Sequence, residues 1–448
     1  MQHTPAATTR TGTGRRYGPL LRLTAALVAV GLSALGCTSS RTPSRNPSGT
    51  SGAPSTAPNA PTADGGIRPL TDPASKDKGV YYSDPYPIHR AARYRGTGSQ
   101  YFSGTTKSLL DCPTGTTARC TAGKKVRVTA GPALTQAAKR YGSRTTVVDN
   151  TNIYQLDSGA WEMAATMYVK NPAHPRAAPW TVVVHAHARH PAPSDVPTTW
   201  VADTLLAGSF AHPEKANYDG KYVEDGGKLY LIYSRMLTAS PLHDGIVAQR
   251  MTSPSRPASS GSTLLLGPED ANGGYGSEYF FGLDQPKKFK LIETGNITRI
   301  DGKYVMAYST GAFNERDYKS GLAWSDTLIP PHGSSYRRIL GKDTAGVWGK
   351  PGGTDVDYLL QTQEKAWPDY VADRVVAPGV PSVVDNGGKW YLYFAGYLPT
   401  DAPLVSGGRL DASHRRPYVM PLKVDIPGGT SVRQASDAEL ARWVTRAP

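Results

Sequence analysis

The chain has 448 residues, 39% of them hydrophobic, with 47 Gly and 37 Pro. That is enough apolar material for a sizeable core and enough turn formers to favour short strands over long helices. Its 50 Lys and Arg against 36 Asp and Glu give a formal charge of +14, yet no basic run is interleaved with stacking aromatics. The excess therefore reads as a solvated basic surface and argues against nucleic-acid binding.

A basic segment ending in RRYGPLLR leads into an apolar run from Leu23 to Leu35 and then Gly36-Cys37, the layout of a secretory signal. At about 13 residues the run is too short to span a bilayer. The small-residue site Ala34-Leu35-Gly36 directly before Cys37, followed by Thr38-Ser39-Ser40, resembles a bacterial lipoprotein signal, with Ala34 where Leu is commonest. The resemblance implies that residues 1–36 are removed and that Cys37 is lipidated, holding the chain on the extracellular face of the bacterial cell membrane. Arg15-Arg16 is a second candidate export signal of the twin-arginine kind, although Gly18-Pro19 follows where bulky apolar residues are typical. Residues 37–66 are Ser, Thr, Pro, Ala and Gly with scattered Arg, a disordered tether by composition. The globular part is expected at 67–448.

Within 67–145, Tyr81 to Pro87 is extended and turn-rich, Lys125 to Thr129 reads as one strand, and Leu134 to Tyr141 as a short helix. Cys112 and Cys120 flank a turn-rich loop, and in an exported chain they are expected to form a disulfide. Two sulfurs are too few for a metal centre.

A hairpin then recurs four times. DNTNIYQLDSGAWEMAAT starts at Asp149, DGKYVEDGGKLYLIYS at Asp219, LIETGNITRIDGKYVMAYS at Leu291 and VPSVVDNGGKWYLYFA at Val380. Each joins two strands through a Gly, Asp or Ser turn. Asp149, Asp219 and Glu293 open the first three, about seventy residues apart, a period expected of a radial array of small sheets. Third strands are expected at Trp180 to Ala188, Gly245 to Met251, Gly321 to Asp326 and Arg416 to Val424. Residues 67–145 are expected to complete a fifth blade. Ser436-Asp437-Ala438-Glu439 ahead of LARWV has the form of a capping box, predicting a short C-terminal helix.

These repeats resemble the five-bladed propellers of family 43 glycoside hydrolases. Asp219-Gly220, Tyr222-Val223, Asp225-Gly226-Gly227-Lys228 and Tyr230-Leu231 follow that family's acidic residue, strand, turn and strand. Glu293-Thr294-Gly295-Asn296-Ile297 stands where it has Glu-Gly-Pro-His-Ile, and Ser320 to Leu328 is similar to its strand ending in A-x-S-x-x-L. Asp149-Asn150-Thr151 replaces the usual Asp-Pro, while Asp84-Pro85 stands upstream in a tyrosine-rich setting; the His often seen at the fourth repeat is absent near Pro381.

The resemblance implies an all-β, five-bladed β-propeller acting as an inverting glycosidase on arabinose- or xylose-containing saccharides, as a monomer. No cofactor is expected to be required, and whether the channel holds a structural calcium ion is left open. Glu293 would be the general acid and Asp149 the general base, with Asp84 its rival; Asp219 would raise the pKa of Glu293. First strands line the channel of a propeller, so these groups would converge at one rim, where an inverting pair stands roughly 6.5 to 9.5 Å apart to admit water. Tyr218, Tyr222 and Trp324, with Trp348 and Trp367, are candidates for stacking on sugar, and Arg374 for contacting hydroxyls. His185, His187 and His190 invite a zinc reading, set aside because no acidic partner is near in sequence. Two other readings are a non-catalytic carbohydrate-binding or scaffold lipoprotein, and an enzyme acting on fructans or other furanosides.

Overall fold

The computed structural model describes residues 67–71, 84–91, 99–103, 108–113, 120–172, 180–189, 192, 194–212, 215–239, 242–268, 278–281, 288–300, 302–342, 354–356, 358–362, 375–386, 388–405, 407–424 and 444–446. The signal and tether expected at 1–66 lie outside these residues. What is described is predominantly antiparallel sheet, with one α-helix, Pro132–Arg140.

The hairpins form where turn chemistry allows. Asn217–Asp225 and Lys228–Ala239 are joined by Gly226 and Gly227, both at positive φ (55° and 72°), as a two-residue hairpin turn requires. Ile292–Ile300 and Lys303–Thr310 turn through Gly302 at φ 81°. Val376–Asn386 and Lys389–Tyr397 turn through Gly388, whose N–H donates to Asp385 at 2.8 Å.

Among the described residues, five sheets of four or more strands follow along the chain, besides a two-stranded one of Leu340–Lys342 and Thr354–Val356. The first holds Tyr86–Pro87, Ser99–Ser103, Ser108–Pro113 and Thr121–Lys125. The second holds Arg144–Gln155, Trp161–Lys170, Trp180–Ala188 and Thr199–Ala207, with Arg127–Ala130 added in parallel. The single strand expected from Lys125 to Thr129 is thus broken at Val126 and shared between two sheets, because Val126 is buried in the core where the chain crosses over. The third is built on Asn217–Asp225, Lys228–Ala239 and Leu242–Ser253. The fourth contains Ile292–Ile300, Lys303–Thr310, Lys319–Ser325 and Arg337–Arg338. The fifth contains Val376–Asn386, Lys389–Tyr397 and Arg416–Val424, whose outer edge pairs with both Arg68–Pro69 and Val444–Arg446. The expected C-terminal helix falls outside the described residues except at Val444, which is in a strand.

Each sheet buries both faces, and strand periodicity divides its side chains between two neighbours. On Trp161–Lys170, Met163, Ala165 and Met167 pack with Ile88 and Leu109 near the first sheet, whereas Ala164 packs with Tyr222 and Leu231 of the third. Ile232 and Ile246 of the third sheet meet Met306 and Tyr308 of the fourth. On the same strand, Val305 and Ala307 face Leu392, Phe394 and Met420 of the fifth. Tyr393 and Val419 of the fifth meet Leu110, Cys112 and Cys120 of the first, where Cys112 and Cys120 are joined as a disulfide. Between these two sheets Leu70 acts as a clasp: its N–H donates to Pro417 O at 2.9 Å, and its carbonyl accepts from Cys120 N at 2.7 Å. The inner strands also touch in cyclic order, Tyr86–Pro87 contacting both Arg144–Gln155 and Val376–Asn386.

Candidate active site

The inner strands of the second to fifth sheets carry the same interruption. Pairing skips from Asp149↔Thr166 to Asn152↔Ala164, from Tyr218↔Ser234 to Lys221↔Ile232, from Glu293↔Ser309 to Asn296↔Ala307, and from Gly379↔Ala395 to Ser382↔Tyr393. Such a bulge bends the strand and re-aims the side chains beside it. In three of the four strands the residue after the last paired position is a non-glycine at positive φ: Asp219 at 56°, Thr294 at 58° and Val380 at 57°. This strained backbone is held from the preceding sheet, since Asp219 N donates to Thr166 Oγ1 at 2.9 Å, Thr294 N to Ser234 Oγ at 3.0 Å and Val380 N to Ser309 Oγ at 2.8 Å.

This joint corrects the expected register. Asp149 and Glu293 are equivalent to each other, to Tyr218 and to Gly379; Asp219 stands one residue further on, level with Thr294 and Val380. An acidic residue at the start of a hairpin does not reveal which side of a bulge it occupies.

Glu293 lies deep in the protein yet stays partly open to solvent. Its Oε1 accepts from the Tyr318 hydroxyl at 2.7 Å and its Oε2 from the Tyr218 hydroxyl at 3.0 Å. Tyr218 also donates to Asp244 Oδ2 at 2.6 Å, so its one hydrogen is shared between two carboxyls. Burial pushes the Glu293 carboxyl up to about 8, reinforced by the charges of Asp219 and Asp244 and opposed by the two tyrosine hydroxyls. Burial pushes Asp244 up to about 6, against the Tyr218 hydrogen bond. Asp84, in the loop entering the first sheet, pairs with Arg415 at 3.4 Å, and both are buried. The Arg415 guanidinium lies 5.5 Å from the Tyr318 ring centroid. All four acids, Asp149, Asp219, Asp84 and Glu293, act on Tyr168, whose hydroxyl burial and these charges drive strongly upward.

Gly379 makes room for this arrangement, for a Cβ there would come within 1.8 Å of the Tyr318 ring. Gly379→Ala should therefore push Tyr318 off Glu293, at an overpacking cost of about 1–3 kcal/mol. The expected result is a lower melting temperature together with an upward move of the Glu293 titration followed by NMR; Tyr318→Phe should reproduce the second change.

Other expected contacts fall elsewhere. Tyr222 donates to Pro254 O at 2.6 Å and meets Tyr154 edge-on between the second and third sheets. Trp324 is buried between the fourth and fifth sheets with Arg337 over its ring at 5.0 Å. Cys37, His190, Trp348, Trp367 and Arg374 lie outside the described residues. His185 does have acidic partners, supplied by neighbouring strands: its Nε2 meets Glu162 at 2.7 Å and its Nδ1 meets Asp203 at 2.8 Å. Both ring nitrogens are thereby engaged. Burial alone would lower its pKa, but the hydrogen bonds and charges of the two carboxylates outweigh this and raise it. Among the described residues, no group of three or more His, Cys, Asp or Glu is placed to hold a metal. Sequence reasoning missed Tyr318, Arg415, Asp244 and Lys221, of which only Lys221 lay inside a motif already singled out.

No protein-family model matches the chain, and neither does any curated protein. Solved structures do. An α-L-arabinofuranosidase from Lactobacillus brevis superposes with a TM-score of 0.52 at 15% identity, over 80% of this chain and 93% of that one. A thermostable family-43 glycoside hydrolase superposes with a TM-score of 0.50 at 14% identity, over 84% of this chain and 97% of that one. The chain has a family-43-like fold. At these identities the likeness is one of architecture, and the chemistry of the family-43-like scaffold has to be argued from its own side chains.

Proposed function

We propose that this chain is a glycoside hydrolase on a five-bladed β-propeller, cleaving arabinose- or xylose-containing saccharides by inverting single displacement while anchored through Cys37. The observation that carries the reading is Glu293: a deep, partly open carboxyl pushed up to about 8, with Asp219 and Asp244 as its charged neighbours. Such a group keeps its proton near neutral pH and can deliver it to a leaving oxygen. Asp84 is the base, ion-paired to Arg415 and so in the charged form a base needs. It takes a proton from water as the water oxygen bonds to the anomeric carbon; the glycosidic C–O bond breaks and Glu293 protonates the departing oxygen. Asp219 holds the Glu293 proton by like charge. Asp149 is less suited to be the base, being 1% exposed against 7% for Asp84.

The sugar class rests on the resemblance carried by the repeats and, for arabinose, on the arabinofuranosidase whose fold is similar; the propeller rests on the cyclic packing of the sheets. The test is release of nitrophenol from a panel of nitrophenyl arabinofuranosides and xylosides, with the product anomer read by NMR. Inverted product is expected. Retained configuration would remove the single-displacement mechanism, and no release from any member would leave a binding protein instead.

A further inference from the structure

Lys221 is a buried cation that the proposed chemistry does not use. It is 4% exposed and follows the bulge at Asp219 and Gly220, level with Asn152, Asn296 and Ser382 on the other inner strands. Its ammonium lies 4.5 Å from the centroid of the Tyr86 ring, and no acceptor among the described residues hydrogen-bonds it. Asp219, Asp84 and Glu293 all act on it electrostatically, so the three groups assigned to the chemistry lie within electrostatic reach of the ammonium.

An ammonium withdrawn from water with its N–H groups unfilled is costly, and contact with one aromatic face offsets only part of that cost. The equivalent Asn296 differs, because its side-chain amide is spent on the carbonyls of Thr294 and Pro381 at 3.3 and 2.8 Å. Lys221 keeps its donors for something else. An anionic ligand is disfavoured by the charges of Asp219 and Asp84, and a metal cation by the ammonium itself. A neutral polyhydroxyl ligand suits both, since each hydroxyl oxygen accepts from the ammonium while its hydrogen goes to a carboxylate.

We propose that Lys221 is a further substrate-binding residue, donating to a ring hydroxyl of the sugar unit held beside Glu293 and Asp84. This rests on the hydrolase reading of the pocket. Lys221 selects substrates that present an acceptor at that position and discriminates against the corresponding deoxy sugar, which leaves the ammonium unfilled.

The test compares wild type with Lys221→Met and Lys221→Gln on the nitrophenyl glycoside cleaved fastest, together with calorimetric binding of the free monosaccharide. Melting temperatures check folding, and the Gln variant carries the comparison should the Met variant not fold. Lys221→Met is expected to raise KM and weaken monosaccharide binding by about 10- to 100-fold, the range for a hydrogen bond from a charged group. Lys221→Gln, which keeps a donor, should recover part of this. Wild-type KM in Lys221→Met would overturn the assignment and leave the hydrolase standing. So would displaced pH limbs at unchanged KM, which would make Lys221 an electrostatic partner of the carboxylates. A wild type that neither binds nor cleaves any sugar would overturn both readings.

Discussion

Glu293→Gln should lower kcat by about 100- to 10,000-fold, the usual worth of a positioned general acid, with substrate binding retained. The amide keeps the shape of the side chain but has no acidic proton. The pH dependence is specific: with its carboxyl pushed up to about 8, Glu293 is a competent acid below that pH, so kcat/KM should fall as pH rises through about 8. Tyr318→Phe removes a hydrogen bond that favours the ionised form and should move this limb to higher pH. Stability has the matching sign. A carboxyl raised in the folded state contributes stability that is fully present below its unfolded value and lost as pH rises through the folded one. The always-neutral Gln keeps that contribution, so Glu293→Gln should melt progressively higher than wild type as pH rises toward 8. An inactive variant that also melts lower at every pH would point to misfolding.

Asp84→Asn set against Asp149→Asn should separate the two candidate bases. Loss of a general base is expected to lower kcat by about 100- to 10,000-fold, and we expect that loss at Asp84. At Asp149 any change should follow the melting temperature, because that carboxyl is enclosed and sits across from Thr166, which holds the Asp219 backbone. Asp84→Asn also leaves Arg415 without its carboxylate, and breaking a buried pair costs about 3–5 kcal/mol. Rates are therefore compared at a temperature where both variants are folded by circular dichroism. The opposite ranking would return the base to Asp149.

The hairpins were legible in the sequence because each is a local statement: alternating aromatic and aliphatic residues around a Gly or Asp turn. Third strands were legible for the same reason, and Trp180–Ala188 and Arg416–Val424 match their expected spans. Where Glu293 and Asp219 sit could be read from the hairpins, but the one-residue offset between them could not. It comes from a bulge held by Thr166 and Ser234 of other sheets, and a hydroxyl across a sheet boundary leaves no mark beside the residue it holds. Asp84 was obscured by its proline-rich surroundings and by a strand of only two residues, Tyr86–Pro87. Tyr318 and Arg415 stand in loops distant from Glu293 and Asp84 in the chain, and their roles depend on how the sheets close on one another.

The clasp at Leu70 and the pairing of Arg68–Pro69 with Arg416–Val424 also bear on timing. A ribosome releases the chain from its N-terminus, and earlier segments begin to fold while later ones are still being made. Glu293 and both of its tyrosine partners emerge well before Arg415. A chain halted between Tyr318 and Arg415 would hold the proposed acid without the guanidinium that partners the proposed base, and its first strand would have no sheet to join. On the proposed assignment, the pocket would become complete only as the last sheet arrives.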